Sequence, residues 1–443
     1  MINLQKLEKW FFYLLIFFLP WQARIIFKSW GASFNEWNSA AIYLTDVLLV
    51  AIIFLWLVRI SKKRATIRIE KTEIILFIFF GIGALSFMKA ENFWLGLYRL
   101  IKLFEFGVLF LYIKNNLAAL FNFEKIFQIF VASGLLQALI AISQFVRQKS
   151  FGLSFLDESP LSPEISGVAK IVLDGVKMIR PYGLTPHPNV LAAFLVLAIF
   201  CALFLFTQKN KDYKWGAAVF YSLAIAILTF TLFLTFSRSV IVVGLAAIFG
   251  CLVYAFFKSG RRWFNLNTIV IFVASCALAA VFLWPFLSAR FDVESSLADQ
   301  SINLRVFYNQ VALDSVEKNP FLGVGVGNFV WTFQNSYNLA EAWMYQPVHN
   351  IYLLISSEIG AVGLLAFLVF LFFIIKSSWR FRRDFAITCF LSLVTCLMLL
   401  GLFDHFLWDL QQGQLMLWIV LGMLASFAKC PYGSTDRAQP SGG

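Results

Sequence analysis

The chain has 443 residues, of which 60% are hydrophobic, 18% aromatic and only 14% charged, with a mean hydropathy of +0.79. Soluble domains carry about 25% charged residues, so this composition excludes a soluble enzyme and indicates an all-α polytopic membrane protein. A net charge of +12 could suit nucleic acid, but its placement along the chain argues against that partner.

Apolar runs long enough to cross about 30 Å of hydrocarbon fall at 9–24, 41–58, 73–88, 97–113, 125–146, 188–207, 215–236, 239–257, 267–286, 350–375, 385–403 and 413–428. They predict twelve transmembrane helices. The first, in "WFFYLLIFFLPWQAR", has no small-x-small cleavage site and reads as a retained helix. Threaded alternately, the spans put the larger share of the 36 Lys and Arg on one side, at the N-terminus, 59–72, 114–124, 208–214, 258–266, 376–384 and the tail. The positive-inside rule makes that side, with both termini, cytoplasmic. The basic charge is therefore a topology signal with membrane lipids as partners, and no nucleic acid is expected.

Residues 1–430 read as one integral membrane domain and 431–443 as a disordered cytoplasmic tail. Two long segments, 147–187 and 287–349, fall outside and are expected to form ordered caps. Residues 215–257 are apolar apart from "SRS" at 237–239. One helix over that stretch would be about 65 Å long, twice a bilayer. Two spans must therefore fold back there, with Arg238 at the turn. Cys201, Cys251, Cys276, Cys389, Cys396 and Cys430 lie in spans or the tail and read as small apolar residues without disulfides or metal.

The outer segments hold the residues with chemical potential. Arg180 lies in "RPYGLTPHPN", where prolines stiffen the approach and Asn189 can cap the sixth helix. Arg305 lies in the first turn of an amphipathic helix ended by Asn319-Pro320, and His349 and Asn350 open the tenth span. Guanidinium groups bind phosphate bidentately, and a histidine takes a proton near neutral pH. Such a set at a membrane's outer face suits a lipid-diphosphate donor. The bland readings are a snorkelling Arg238, a solvated Arg305 and a capping His349.

Glu358 lies about 13 Å deeper along its helix than His349 and on another face, so it should bond a neighbouring helix instead of orienting His349. His187, His349 and His405 lack the spacing of a metal site. "GVGVGN" at 323–328 fits no nucleotide loop and reads as flexible backbone packing closely over the site. Asp46, Glu105, Asp404 and Asp409 could form a proton relay, which keeps a secondary transporter or lipid flippase as the rival reading.

Four segments in order, "RPYGLTPHPNVLA", "TFSRS", "NLRVFYNQVALDSVEKNPFLGVGVGNF" and "HNIYLLISSEIGAVGLLAF", resemble the O-antigen ligase and polymerase superfamily of membrane glycosyltransferases. The resemblance implies transfer of a glycan from a polyprenyl (undecaprenyl) diphosphate to a hydroxyl acceptor at the outer face of the bacterial cytoplasmic membrane, with inversion. Neither metal nor other cofactor is implied. Arg180, Arg238 and Arg305 would hold the donor diphosphate, His349 would activate or position the acceptor hydroxyl, and Asn350, Glu358, His187 and Asn189 would support them. The donor partner would be a lipid-linked oligosaccharide. The acceptor would be a lipid core in a ligase, a growing glycan in a polymerase, or a protein in an oligosaccharyltransferase.

Overall fold

A computed structural model describes residues 4–31, 34–62, 69–211, 215–258, 262–291, 296–339 and 341–427. The predicted tail, 431–443, and Cys430 lie outside the described residues. In chain order the elements are α1 (Leu4–Phe18), β1 (Arg24–Ser29), β2 (Ser39–Tyr43), α2 (Leu44–Ser61), α3 (Lys71–Phe87), α4 (Phe93–Leu120), α5 (Phe123–Arg147), β3 (Lys170–Leu173) and β4 (Val176–Ile179). They continue with α6 (Pro188–Lys211), α7 (Trp215–Leu234), α8 (Arg238–Lys258), α9 (Arg262–Phe291), α10 (Ser296–Lys318), α11 (Phe329–Ser336), α12 (Ile351–Trp379), α13 (Phe385–Leu400), α14 (Phe406–Asp409) and α15 (Gln411–Phe427).

Every one of the twelve apolar runs contains a helix. Among the described residues seven helices, α2, α5, α6, α7, α8, α9 and α12, are long and apolar enough to cross a membrane. The chain is thus a helical integral membrane protein, with two short antiparallel hairpins, β1–β2 and β3–β4, that the apolar pattern did not reveal. A strand pair of four to six residues leaves no periodicity to read.

The core is α6, whose span is 94% buried and which packs against α5, α7, α8, α9 and α13. Lipid is as apolar as leucine, so close packing has to hold such helices together. Small residues permit it. A Cβ added at Gly134 of α5 would lie 2.7 Å from the Ala198 Cβ, and one at Gly244 of α8 would lie 2.6 Å from a Val196 methyl. The fold-back anticipated near Arg238 separates α7 from α8. It turns at Phe236, whose φ of +50° is costly for a bulky residue, and Arg238 opens α8 immediately after.

Several buried ionisable groups inside the helices are paired, as burial away from water demands. Lys102 pairs with Asp46 and with Glu105 at 3.2 Å. Arg59 holds Glu8 at 2.9 Å, and Lys114 pairs with Glu73 and with Glu70 at 3.2 Å. The cysteines among the described residues are free.

The glycine-rich loop differs from its expected role. Gly360 interrupts α12 with φ +75° and ψ 172°, which frees carbonyls that nothing in a membrane would satisfy. The loop after α10 satisfies them: Val324 N donates to Ser357 O at 2.8 Å and Gly325 N to Glu358 O at 3.0 Å. In return, Ala361 N donates to Pro320 O at 2.8 Å. Gly323, Gly325 and Gly327 all have positive φ, and a Cβ on Gly323 would overlap the Ser357 and Glu358 carbonyls. The loop is a close-fitting plug in the helix break, not flexible backbone over the site.

Candidate active site

The site is built where the N-termini of α6, α8 and α12 meet α10 and the short α14. Pro188 starts α6 at the position where its missing N–H costs nothing. His187 caps that helix, its Nδ1 accepting from Asn189 N at 3.2 Å. Asn189 therefore does not cap α6, as its position suggested. Its side chain ties three segments together: Nδ2 donates to Asp404 Oδ2 at 2.6 Å, while Oδ1 accepts from Arg180 Nη2 at 2.7 Å and Ser237 Oγ at 2.8 Å.

The structure divides the three arginines. Arg180 is buried, and its Nε donates to Thr235 O at 2.8 Å, so it braces the α7–α8 turn against the start of α6. Arg238 and Arg305 are half-buried and make no hydrogen bond or ion pair among the described residues. They are close enough to repel each other. Helix α10 begins at Ser296, which puts Arg305 in its third turn rather than its first. Two guanidinium groups held together without a carboxylate form a site that an anion would relieve.

Asn350, not His349, caps α12, its Oδ1 accepting from Tyr352 N at 2.9 Å and Leu353 N at 3.1 Å. The cap fixes His349 at the helix mouth. The His349 ring stacks on Tyr308, one turn beyond Arg305, with centroids 5.9 Å apart, and meets His405 edge-on at 4.9 Å. Its Nδ1 is buried and has no hydrogen-bond partner. Burial, with His405 and Arg305 nearby, pushes the His349 pKa well below its usual range, so the ring is neutral. Burial and Arg180 push His187 down likewise, to about 3.

His405 behaves oppositely. Although burial opposes its charge, Asp409, 2.9 Å from its Nδ1, and Asp404 raise its pKa. Facing the three histidines and bonded by Asn189, Asp404 is held far below the usual carboxylate range despite its burial. The site thus sets His405, whose carboxylate partners favour its charged form, beside a neutral His349 whose buried Nδ1 has no hydrogen-bond partner.

Glu358 sits away from His349, as its helical position requires. Its Oε2 accepts from Trp408 Nε1 at 2.8 Å, bracing α14, the helix that ends in Asp409. All three histidines line a cleft of about 780 Å³, together with Arg24, Glu36 and Trp37 from the β1–β2 region and Trp343. No group of three or more His, Cys, Asp or Glu among the described residues is arranged to hold a metal ion.

Sequence reasoning did not single out Arg24, Glu36, Trp37 or Trp343, and it weighed His405 only as a metal ligand and Asp409 only in a relay. The i, i+4 spacing of His405 and Asp409, in a gap between two apolar runs, was the available signal. Asp46 and Glu105 pair with Lys102, whereas Asp404 and Asp409 face histidines, so the four carboxylates belong to two separate clusters.

No curated protein matches the chain. Residues 223–368 match the family model described as O-antigen ligase, a segment that carries Arg238, Arg305, His349, Asn350 and Glu358 and leaves Arg180, His187, Asn189 and His405 outside it. Over this segment, about a third of the chain, the protein is similar to the O-antigen ligase family, which supports the resemblance to the O-antigen ligase and polymerase superfamily.

Proposed function

We propose that the protein transfers a glycan from a polyprenyl diphosphate to a hydroxyl acceptor at the outer face of the cytoplasmic membrane. The observation that carries this reading is the Arg238–Arg305 pair, which has no anionic partner among the described residues, near a neutral His349 whose buried Nδ1 has no hydrogen-bond partner. In the reaction the acceptor oxygen attacks the anomeric carbon as the carbon–oxygen bond to the diphosphate breaks. The proton passes to His349, and the electron pair leaves with the diphosphate, whose charge the two arginines stabilise.

A histidine with so low a pKa is a weak base, and the donor itself eases this. Burial and His405 are the larger causes of that depression, and a diphosphate against Arg305 would remove a smaller one, shifting the His349 basicity upward. Arg180, His187 and Asn189 position the turn that carries Arg238, and Asn350 and Glu358 hold α12 and α14.

The lipid part of the donor also has a berth. A groove of about 510 Å³ between α8 and α13 begins at Val242, one turn past Arg238, and continues past Ala246 and Gly250. Its apolar wall suits a polyprenyl chain with the diphosphate at the arginines. The bias of Lys and Arg toward the opposite connections supports cytoplasmic termini, an outer site and the full set of twelve spans.

Purified protein in nanodiscs, given a polyprenyl-diphosphate oligosaccharide and a hydroxyl acceptor without metal or ion gradient, tests the reading. Release of polyprenyl diphosphate should fall about 10²–10⁴-fold in His349→Ala and about 10²–10³-fold in Arg305→Ala. Equal release in wild type and both variants, or gradient-driven movement of a solute with the donor intact, would overturn it.

A further inference from the structure

The cleft beside His349 has a chemical character opposite to that of the arginine pair. Its described lining holds five carboxylates, Glu36, Asp157, Glu158, Glu341 and Asp404, against one arginine, Arg24. Arg24 is already committed: it pairs with Glu36, meets Asp157 at 3.3 Å and donates to Tyr43 Oη at 3.0 Å. Even with a charged His405 the cleft is net negative. Arg238 and Arg305 are not among its described lining residues.

The lining is also aromatic. Trp37 and Trp343 come from connections about 300 positions apart and both contribute to the cleft wall. Indole faces pack against the C–H faces of sugar rings, and ionised carboxylates are strong acceptors for hydroxyl and ammonium donors. A cleft of this size, with aromatic and carboxylate side chains and His349 in its wall, has the chemistry of a saccharide site. It repels an anionic saccharide.

We infer that this cleft is the acceptor subsite and that it selects an uncharged or amine-bearing saccharide over a phosphorylated or carboxylated one. The inference rests on the proposed role of His349 as the group that receives the acceptor proton. Within one site, the diphosphate of the donor and the sugar of the acceptor are then kept apart by charge: the arginines take the first and the carboxylate-lined cleft the second.

The test uses the full chain in nanodiscs and a matched pair of oligosaccharides, one neutral and one carrying a single phosphate. Equilibrium binding of each is measured without donor, and acceptor and donor KM are measured in the transfer assay. Wild type should bind the neutral sugar at least about tenfold more tightly. Trp343→Ala should weaken that binding about three- to tenfold and raise the acceptor KM while the donor KM holds. Glu341→Lys, a change at an exposed position, should narrow the gap between the two sugars.

Equal or tighter binding of the phosphorylated sugar would overturn the inference. A Trp343→Ala effect on donor KM alone would also overturn it by giving the cleft to the donor's glycan. Selective binding of the neutral sugar with no transfer under any condition would leave the cleft as a saccharide site and defeat the transferase reading instead.

Discussion

Lowering the pH from 7 to 5 should destabilise the protein through His187 and His349. Both are held neutral in the folded chain, His187 at about 3 and His349 well below its usual range, while an unfolded histidine titrates near 6.5. Below about pH 6.5 the unfolded chain takes up protons that the folded chain refuses, so stability falls with pH and continues to fall toward pH 3. A drop of about 1.5 units below the unfolded value corresponds to about 2 kcal/mol per group. Water in the cleft that both residues line reduces this to about 1–2 kcal/mol each.

The neighbouring groups do not imitate the effect. His405 has a raised pKa, so its stabilisation is fully present below the unfolded value and is lost as pH rises. Asp404, held low, loses its contribution only as pH falls below the ordinary aspartate range. Thermal unfolding in detergent at pH 7 and pH 5 checks the reasoning on wild type, His187→Gln and His349→Gln. Each variant should lose about half of the wild-type pH dependence. A wild type whose stability is flat across this window, or variants that fall as steeply as wild type, would refute it.

Other substitutions probe the frame and the rival reading. Gly360→Ala places a Cβ on the Phe321 carbonyl at φ +75° and should cost at least about 1–3 kcal/mol from the backbone alone, whereas Gly81→Ala, with nothing within 4 Å, should be neutral or slightly stabilising; thermal melts compare them. Glu358→Ala leaves Trp408 Nε1 buried without its acceptor and should cost about 1–3 kcal/mol, while Glu358→Gln, which keeps an acceptor, should cost less in the same melts. Asn189→Ala severs the links to Arg180, Ser237 and Asp404 and should lower both the melting temperature and glycan release. Lys102→Met leaves Asp46 and Glu105 unpaired and should destabilise by about 3–5 kcal/mol; Asp46→Asn should leave glycan transfer per folded molecule near wild type, and a loss of transfer with no change in folding would revive a role for that carboxylate in function.

The sequence by itself determined what depends on local composition. Apolar runs became helices because a backbone crossing lipid has to bond its own polar groups, and a helix does so within one segment. The chain had to turn near Arg238 because one helix could not fit a bilayer, and Glu358 faced inward because helical geometry and the cost of a bare carboxylate left no other place. Arg238, Arg305 and His349 stood out because strongly polar groups are rare in such a chain. Only the tertiary structure decided which of them stay open. Arg180 is occupied by Asn189 and Thr235, while Arg238 and Arg305 have no hydrogen bond or ion pair among the described residues and lie close enough to repel each other. The edge contact of His405 with His349 joins segments more than fifty residues apart, whereas its carboxylate, Asp409, is only four residues away. The cleft wall formed by Trp37 and Trp343, and the plug that fills the Gly360 break, likewise join distant segments. Such contacts follow from how whole helices and loops pack, and a periodicity read over one turn or one span carries no record of them.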